Sequence, residues 1–386
     1  MYYSIYVNMK KQDQIIDKTK FKRFNQKNDI FNRSLWDNSI KSDKTTKFYQ
    51  DYVKPPEDKK RPEGFSHKDY AFRNSGWFMS DFFSNSDKNN GRSEGFTDYF
   101  SVQKKGTFKK YKIESTTQLT KEIKIVAKKL GADLVGVTKF NKDWVYSHKY
   151  NRDKNIELKN ELYPELKNVI VIANEMDKDL IDTAPSALSG AATGLGYSND
   201  LSSALSLAQY IINLGYKAVA SQNDTALSIP LAIEAGLGEY ARNGLLITKK
   251  FGPRVRISKI FTDLPLEHDK PISFGVKNYC SICQRCANEC PPRAISSSEP
   301  SFKQINISNI TGIKKWSVNA EKCFKFWASQ SSDCTICIRV CPYNKDFNKL
   351  IHKIGFRISN TPLRKILIFL DRYFGKRKKP NIWWAK

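Results

Sequence analysis

Apolar residues recur at helical spacing at Leu119, Ile123, Val126 and Leu130 and stop at Gly131, where the strand-like run ADLVGVTKF takes over. The run NVIVIAN, residues 168–174, predicts a second, buried strand. After the small-residue stretch SALSGAATGLGYSND, the residues Leu201, Ala204, Leu205, Ala208, Ile211 and Ile212 share one helical face. That helix closes at Gly215 before the strand-like YKAVA. Helices alternating with apolar strands predict an α/β or α+β layer over residues 111–268. Gly194-Leu195-Gly196 and Gly236-Leu237-Gly238 read as turns. Residues 1–110 have few Val or Leu but carry Trp36, Trp77 and many Phe and Tyr among Lys, Asn, Asp and Ser. They predict a loop-rich unit that wraps another part, with disorder over the first twenty residues and over 87–93.

Composition narrows this picture. A chain of 386 residues exceeds one small core, so two or three structural units are expected. The net charge of +26 invites a polyanion without choosing between nucleic acid and an anionic membrane surface. No apolar run approaches the ~20 residues of a spanning helix. The N-terminal MYYSIYVNMKKQDQ lacks a signal-length apolar stretch, and there is no Arg-Arg pair, so no export address is read.

All eight cysteines fall between Cys280 and Cys341, which rules out a disulfide framework spread through the chain. Cys280, Cys283, Cys286 and Cys290 have the spacing C-x2-C-x2-C-x3-C followed by Pro291, the ligand run of a bacterial ferredoxin-type cluster. Cys323 stands alone before Cys334, Cys337 and Cys341, which repeat C-x2-C-x3-C before Pro342. In such runs the fourth cysteine serves the other cluster. The expected sets are therefore Cys280, Cys283, Cys286 and Cys341 for one 4Fe–4S cluster, and Cys323, Cys334, Cys337 and Cys290 for the second. A zinc ribbon would use paired C-x2-C knuckles without the C-x3-C-P ending. A two-cluster, ferredoxin-like module over residues 269–345 follows, with a basic amphipathic tail over 346–386.

The run SIPLAIEAGLGEYARNGLLITKKFGPRVRISKIFTDLPLEHDKPISFGVKNYC leads directly into the first cysteine motif and resembles the corrinoid-dependent reductive dehalogenases. FKRFNQKNDIFNRSLWD (residues 21–37) and HKDYAFRNSGWF (residues 67–78) resemble that family's N-terminal region. With KCFKFWASQSSDCTICIRVCP the likeness covers about residues 21–345. The resemblance implies a nitroreductase-like core holding cobalamin base-off, with no side chain on cobalt and two clusters feeding it electrons one at a time. It also implies an organohalide substrate.

On the family's pattern Tyr197 is the proton donor, with Arg256 as its charge partner and Asn223 as an orienting hydrogen-bond group. These types suit the task. A phenol of reference pKa ~10 gives up its proton poorly unless its anion is stabilised, and a guanidinium does that without losing its own proton. Thr193, Gly194 and Gly196 are implied beside the corrin, and Trp327 in the substrate cavity wall, with Trp36, Trp77 and Phe31 as further wall candidates.

A second enzyme reading is an epoxyqueuosine reductase acting on tRNA, whose acid would match Asp224 in Asp224-Thr225-Ala226. The stretch that follows keeps to the dehalogenases, and no compact basic stripe stands out, so nucleic acid is a partner only if that alternative holds. A bare electron carrier would not need the long chain preceding the cysteines.

The resembling respiratory enzymes begin with a twin-arginine leader, not seen here. Peripheral attachment to the outer face of the cytoplasmic membrane is expected, with a membrane-bound electron donor or anchor protein. A cytoplasmic location is the alternative. In the tail, an apolar stretch with Ile366, Leu367, Phe369, Leu370 and Phe374, basic residues 376–379, and Trp383 and Trp384 suit an anionic membrane interface.

Overall fold

The computed structural model of the chain describes residues 16–48, 63–86, 109–152, 154–160, 162, 164–371 and 377–385. Its centre is a four-stranded sheet of β1 (Leu134–Lys139), β4 (Asn168–Glu175), β5 (Ala218–Ser221) and β8 (Val255–Thr262), in the order β1-β4-β8-β5. Every neighbouring pair is antiparallel. The fold is therefore the α+β form of the expectation. An unbroken apolar strand commonly signals a parallel sheet, yet here it arises because helices cover both faces of an antiparallel one. Val169, Val171 and Ala173 of β4 face Leu231 and Ala232 of α7 (Ser228–Glu234). The alternate residues Ile170 and Ile172 face Ile123 of α4 (Thr116–Lys129) and Leu207 and Ile211 of α6 (Ala187–Asn213). Two hairpins flank the sheet: β2 (His148–Asn151) with β3 (Ile156–Lys159), and β6 (Gly238–Tyr240) with β7 (Leu246–Thr248). The short α5 (Lys178–Ile181) leads into α6.

Two readings of the sequence are corrected. Gly194-Leu195-Gly196 is no turn but lies inside the 27-residue α6, which is capped by the Ser186 side chain accepting from the Ser189 amide. Each interior glycine disfavours a helix by about 1 kcal/mol, and close packing overrides that. A Cβ on Gly194 would lie 2.4 Å from a Trp77 ring carbon, and one on Gly196 would lie 2.9 Å from the Arg256 side chain. Gly236 does mark a turn, with φ +73.

The N-terminal region is also not wholly loop-rich. α3 (His67–Ser86) is a 20-residue helix, and it is the element that presses Trp77 against Gly194. Residues 16–48 do wrap the molecule. Ile16 bridges to Ile313, and Arg23 donates to the carbonyls of Val145 and Tyr146. α1 (Ile30–Trp36) and α2 (Asp43–Thr46) pack Ile30, Ile40 and Phe48 on Phe324 of α10 (Ala320–Gln330). Of the residues for which disorder is expected, 16–20 are instead held in place, with Ile16 bridged to Ile313 and the Asp17 amide donating to the Gly312 carbonyl, while 1–15 and 87–93 lie outside the described residues.

The cysteine module is built from α8 (Val276–Cys283), α9 (Arg285–Asn288), α10 and α11 (Ile336–Arg339). The tail follows as α12 (Leu350–Ile358), α13 (Arg364–Asp371) and α14 (Pro380–Trp384). Its two indoles do not face outward as a membrane belt. Trp383 stacks on Phe72 of α3 at 5.4 Å, and Trp384 donates from Nε1 to Asp69 Oδ1 at 2.8 Å. Arg377 donates to the carbonyls of Thr183, Pro185 and Glu63, and Lys378 pairs with Asp179 at 2.5 Å. The indoles and these two basic residues are thus spent fastening the tail to the body. Phe374 and Lys376 lie outside the described residues.

Candidate active site and cysteine centre

Three elements converge on one phenol. Tyr197 rides on α6, one residue past Gly196, which clears room for the Arg256 side chain arriving from β8. Asn223 lies on the loop leaving β5, and its Nδ2 donates to Tyr197 Oη. Arg256 Nη1 donates to the same oxygen at 3.4 Å, and its guanidinium carbon lies 4.6 Å from the ring centroid. A phenolic oxygen receiving two N–H donors, one of them cationic, is arranged to stabilise the anion left when its proton departs. On the other side Trp77 packs against the Tyr197 ring with centroids 4.9 Å apart. The main chain is pinned too: Gln222 Nε2 donates to the Tyr197 carbonyl at 3.0 Å. Tyr197 and Arg256 are half-buried and Asn223 is exposed, so the phenol is reachable.

The remaining candidates are placed less centrally. Thr193 is buried and its hydroxyl turns back to the Ser189 carbonyl of its own helix. The space beside Gly194 and Gly196 is taken by Trp77 and Arg256. Trp327 packs with Phe31 at 5.7 Å and Phe48 at 6.5 Å, and Trp36 donates to the Lys27 carbonyl at 2.9 Å. Of the four aromatic wall candidates, Trp77 is the one whose ring contact with Tyr197 is seen among the described residues.

None of the eight cysteines is joined in a disulfide. Cys280, Cys283, Cys286 and Cys341 line one small cavity together with Arg242 and Tyr279. Burial pushes the Cys280 thiol up to about 12 and Cys283 to about 11, and burial first, then the charges of neighbouring cysteines, raises Cys286 and Cys341 as well. Around Cys337 the neighbouring thiols are Cys334, Cys323, Cys286 and Cys290, so the second run and Cys290 crowd one another. Burial likewise raises Cys323 to about 12 and Cys334 to about 11. Thiols massed in a buried place favour the neutral form until cationic metal arrives, when the logic inverts. Among the described residues no three His, Cys, Asp or Glu side chains close on a single-ion position.

Arg242 is a residue that the sequence pattern does not mark. Wholly buried in the β6–β7 turn, it donates to the Cys280 carbonyl at 2.9 Å and to the Ser296 and Ser298 carbonyls, with Trp316 under its guanidinium at 4.8 Å. Its neighbour Asn243 donates to the Cys337 carbonyl at 3.4 Å. One turn of the core thus touches both cysteine runs. Between α7 and the module lies a cavity of about 480 Å³, lined by Ile229, Pro230, Ile233, Tyr240, Ile313 and Trp316. Lys277, Lys314 and Lys315 also line it, and burial pushes the Lys315 ammonium down to about 8. The loop 222–228 joins the two places: Asn223 meets Tyr197, and Leu227 borders the cavity.

Comparison with known proteins agrees with this layout. Residues 279–344 match the 4Fe-4S double cluster binding domain. Over 292 residues the chain is 35% identical to a tetrachloroethene reductive dehalogenase of Sulfurospirillum multivorans, covering 69% of this chain and 58% of that protein. It is 38% identical over 286 residues to one from Desulfitobacterium hafniense, covering 64% and 52%. The chain thus spans a little over half the length of the curated relatives it matches. A solved B12-dependent reductive dehalogenase shares its fold, with a TM-score of 0.72 at 22% identity, covering 94% of this chain and 48% of that one. More distant similarity reaches the epoxyqueuosine reductases as well. The chain is a homologue of the reductive dehalogenases and carries a double 4Fe–4S cluster binding domain.

Proposed function

We propose that this protein is a corrinoid-dependent reductive dehalogenase in which Tyr197 gives the proton that replaces halogen on carbon. The observation that carries the reading is the convergence of Asn223 and Arg256 on the Tyr197 hydroxyl, beside a core that abuts a two-cluster module. The net change is reductive: an organohalide takes two electrons and one proton, and one carbon–halogen bond is replaced by a carbon–hydrogen bond as a halide ion leaves.

At about 480 Å³ the cavity can take only part of a corrinoid, and its chemistry suits that part. Its walls are largely apolar, and the three lysines can meet the phosphate of a nucleotide arm. Ile229, Pro230 and Tyr240 would hold the macrocycle's apolar edge. A corrinoid bound there would supply the strongly reducing chemistry the reaction needs. Tyr197 then supplies the proton from Oη, Arg256 stabilises the phenolate left behind, and Asn223 holds the hydroxyl in line. Cys280, Cys283, Cys286 and Cys341 would bind one cluster, and Cys323, Cys334, Cys337 and Cys290 the other.

Asp224, the acid on which a tRNA reductase reading would rest, is buried. It receives the Ser221 hydroxyl at 2.8 Å and its charge acts on Lys259, which speaks against that reading. Anaerobic reconstitution with iron, sulfide and cobalamin tests the proposal. The expected result is about eight irons per chain and reduction of tetrachloroethene, the substrate in the relatives' names. About four irons, or a loaded protein inert to chlorinated and brominated alkenes and phenols, would count against it.

We also infer peripheral attachment to the cytoplasmic membrane, at its outer face, where a membrane-bound donor or anchor would meet the enzyme. Support comes from α12 and α13, where Leu350, Ile351, Ile366 and Phe369 are exposed beside Lys349, Lys353, Arg357, Arg364 and Lys365. No helix among the described residues is long and apolar enough to cross a membrane. Co-sedimentation with anionic vesicles is expected to fall on Ile351→Asp with Phe369→Asp; equal sedimentation of parent and variant would discard this surface.

A further inference from the structure

Lys259 sits in the middle of the sheet, on β8, opposite Ser221 of β5 and Val171 of β4, and is wholly buried. A buried ammonium is costly unless acceptors surround it. Its Nζ donates to the Gln222 carbonyl and, at 2.9 Å, to Ser228 Oγ. Those two residues are the ends of the loop 222–228, which leaves β5 and enters α7. The same loop carries the two side chains that hold Tyr197: Gln222 on its carbonyl and Asn223 on its hydroxyl.

The loop does not hold its shape cheaply. Thr225 is buried with φ +68, a left-handed conformation that a β-branched residue rarely takes, and it persists only where surroundings enforce it. Counter-charges stand close. Asp224, on the loop, and Asp200, three residues past Tyr197 on α6, both favour the charged lysine, while burial pushes it down to about 8. Asp200 is itself wholly buried and pushed up to about 7, chiefly by burial.

We propose that Lys259 is a positioning residue for proton donation, closing the loop 222–228 by bridging the Gln222 carbonyl to Ser228 Oγ and so setting Asn223 against the Tyr197 hydroxyl. The inference rests on the dehalogenase reading for its kinetic consequence and on geometry alone for the loop. Lys259→Met keeps much of the volume and removes the donor. In the reconstituted enzyme it is expected to lower kcat for tetrachloroethene by about 10- to 100-fold, as a displaced catalytic group does, with KM unchanged.

Because Lys259 acts through Asn223, the double variant Lys259→Met with Asn223→Ala should be no slower than Asn223→Ala alone. Losses that multiply would overturn the proposal, since a merely structural lysine would slow both backgrounds alike. Hydrogen exchange reads the clamp without turnover: amides of residues 222–228 should exchange faster in Lys259→Met while those of β4 do not change. Unchanged exchange in the loop overturns the proposal even if the parent turns over no organohalide, an outcome that would separately sink the dehalogenase reading. If Lys259→Met does not fold, Ser228→Ala removes one of the two acceptors and must move exchange and kcat in the same direction.

Discussion

Tyr197→Phe is expected to cut dehalogenation by about 10²- to 10⁴-fold, the range that a positioned general acid supplies, while iron content and corrinoid content stay at parental values. The ring remains, so its contacts with Trp77 at 4.9 Å and with the Arg256 guanidinium at 4.6 Å are kept. What disappears is the hydroxyl proton and the oxygen that accepts from Asn223 and Arg256. Asn223 is exposed and Arg256 half-buried, so water can take up the vacated hydrogen bonds and the fold loses little.

Arg256→Lys should fall in the same direction. The charge survives, yet a single ammonium cannot lie over the ring and reach Oη together as the planar guanidinium does. Steady-state turnover of tetrachloroethene by the reconstituted proteins checks both. Parental turnover in the Phe variant would remove Tyr197 from the chemistry, and parental turnover in the Lys variant would reduce Arg256 to a source of field.

That site was only partly legible in the sequence. The cysteine runs announce themselves because thiolate ligands must sit at fixed short spacings, and β4 does so because residues 169–173 are five successive apolar residues between two asparagines. Tyr197, Asn223 and Arg256 come from a helix, a loop and a strand, and nothing local ties them together; the family likeness alone singled them out. The first half of α6 has the pattern of a turn for a physical reason. Small residues give a helix no apolar stripe, and glycines signal turns unless a neighbouring element needs the room, as Trp77 and Arg256 do here.

α3 was hidden differently. It exposes Phe78, Met79 and Phe82 while burying Tyr70 and Arg73, which blurs the apolar period. Lys259 and Arg242 are single basic residues in a chain with 65 of them, and only burial distinguishes them. The tail tryptophans show the limit of reading chemistry from composition. Indoles beside basic residues suit a membrane boundary, yet Phe72 and Asp69 on α3 offered them a nearer partner.

Arg73→Met is the substitution expected to cost most in stability. Arg73 of α3 and Asp333, the residue before Cys334, pair at 3.1 Å with side chains 0% and 5% exposed. Removing one member of a buried pair leaves the other charge uncompensated, at a cost of about 3–5 kcal/mol. The surroundings make this worse. Asp81 is already pushed up to about 6, first by burial and also by Asp333, with Arg73 pulling the other way. Without the guanidinium the repulsion between Asp81 and Asp333 is no longer offset by it.

A carboxyl raised in the folded state is a burden above its folded pKa that lifts as pH falls, so the variant's deficit should shrink between about pH 7 and pH 5. The site has no slack for rearrangement: a Cβ on Gly190 would meet Arg73 Nε at 2.8 Å and Asp333 Oδ2 at 2.9 Å. Because Asp333 adjoins Cys334, the variant should also give up iron first from the cluster proposed for Cys290, Cys323, Cys334 and Cys337. Adding Asp333→Asn to Arg73→Met removes the stranded charge and should return most of the stability. Thermal unfolding of the reconstituted proteins across that pH range, with iron counted, decides it. A single variant as stable as the parent, or a double variant no better than the single, would show that the pair is not what joins α3 to the cysteine module.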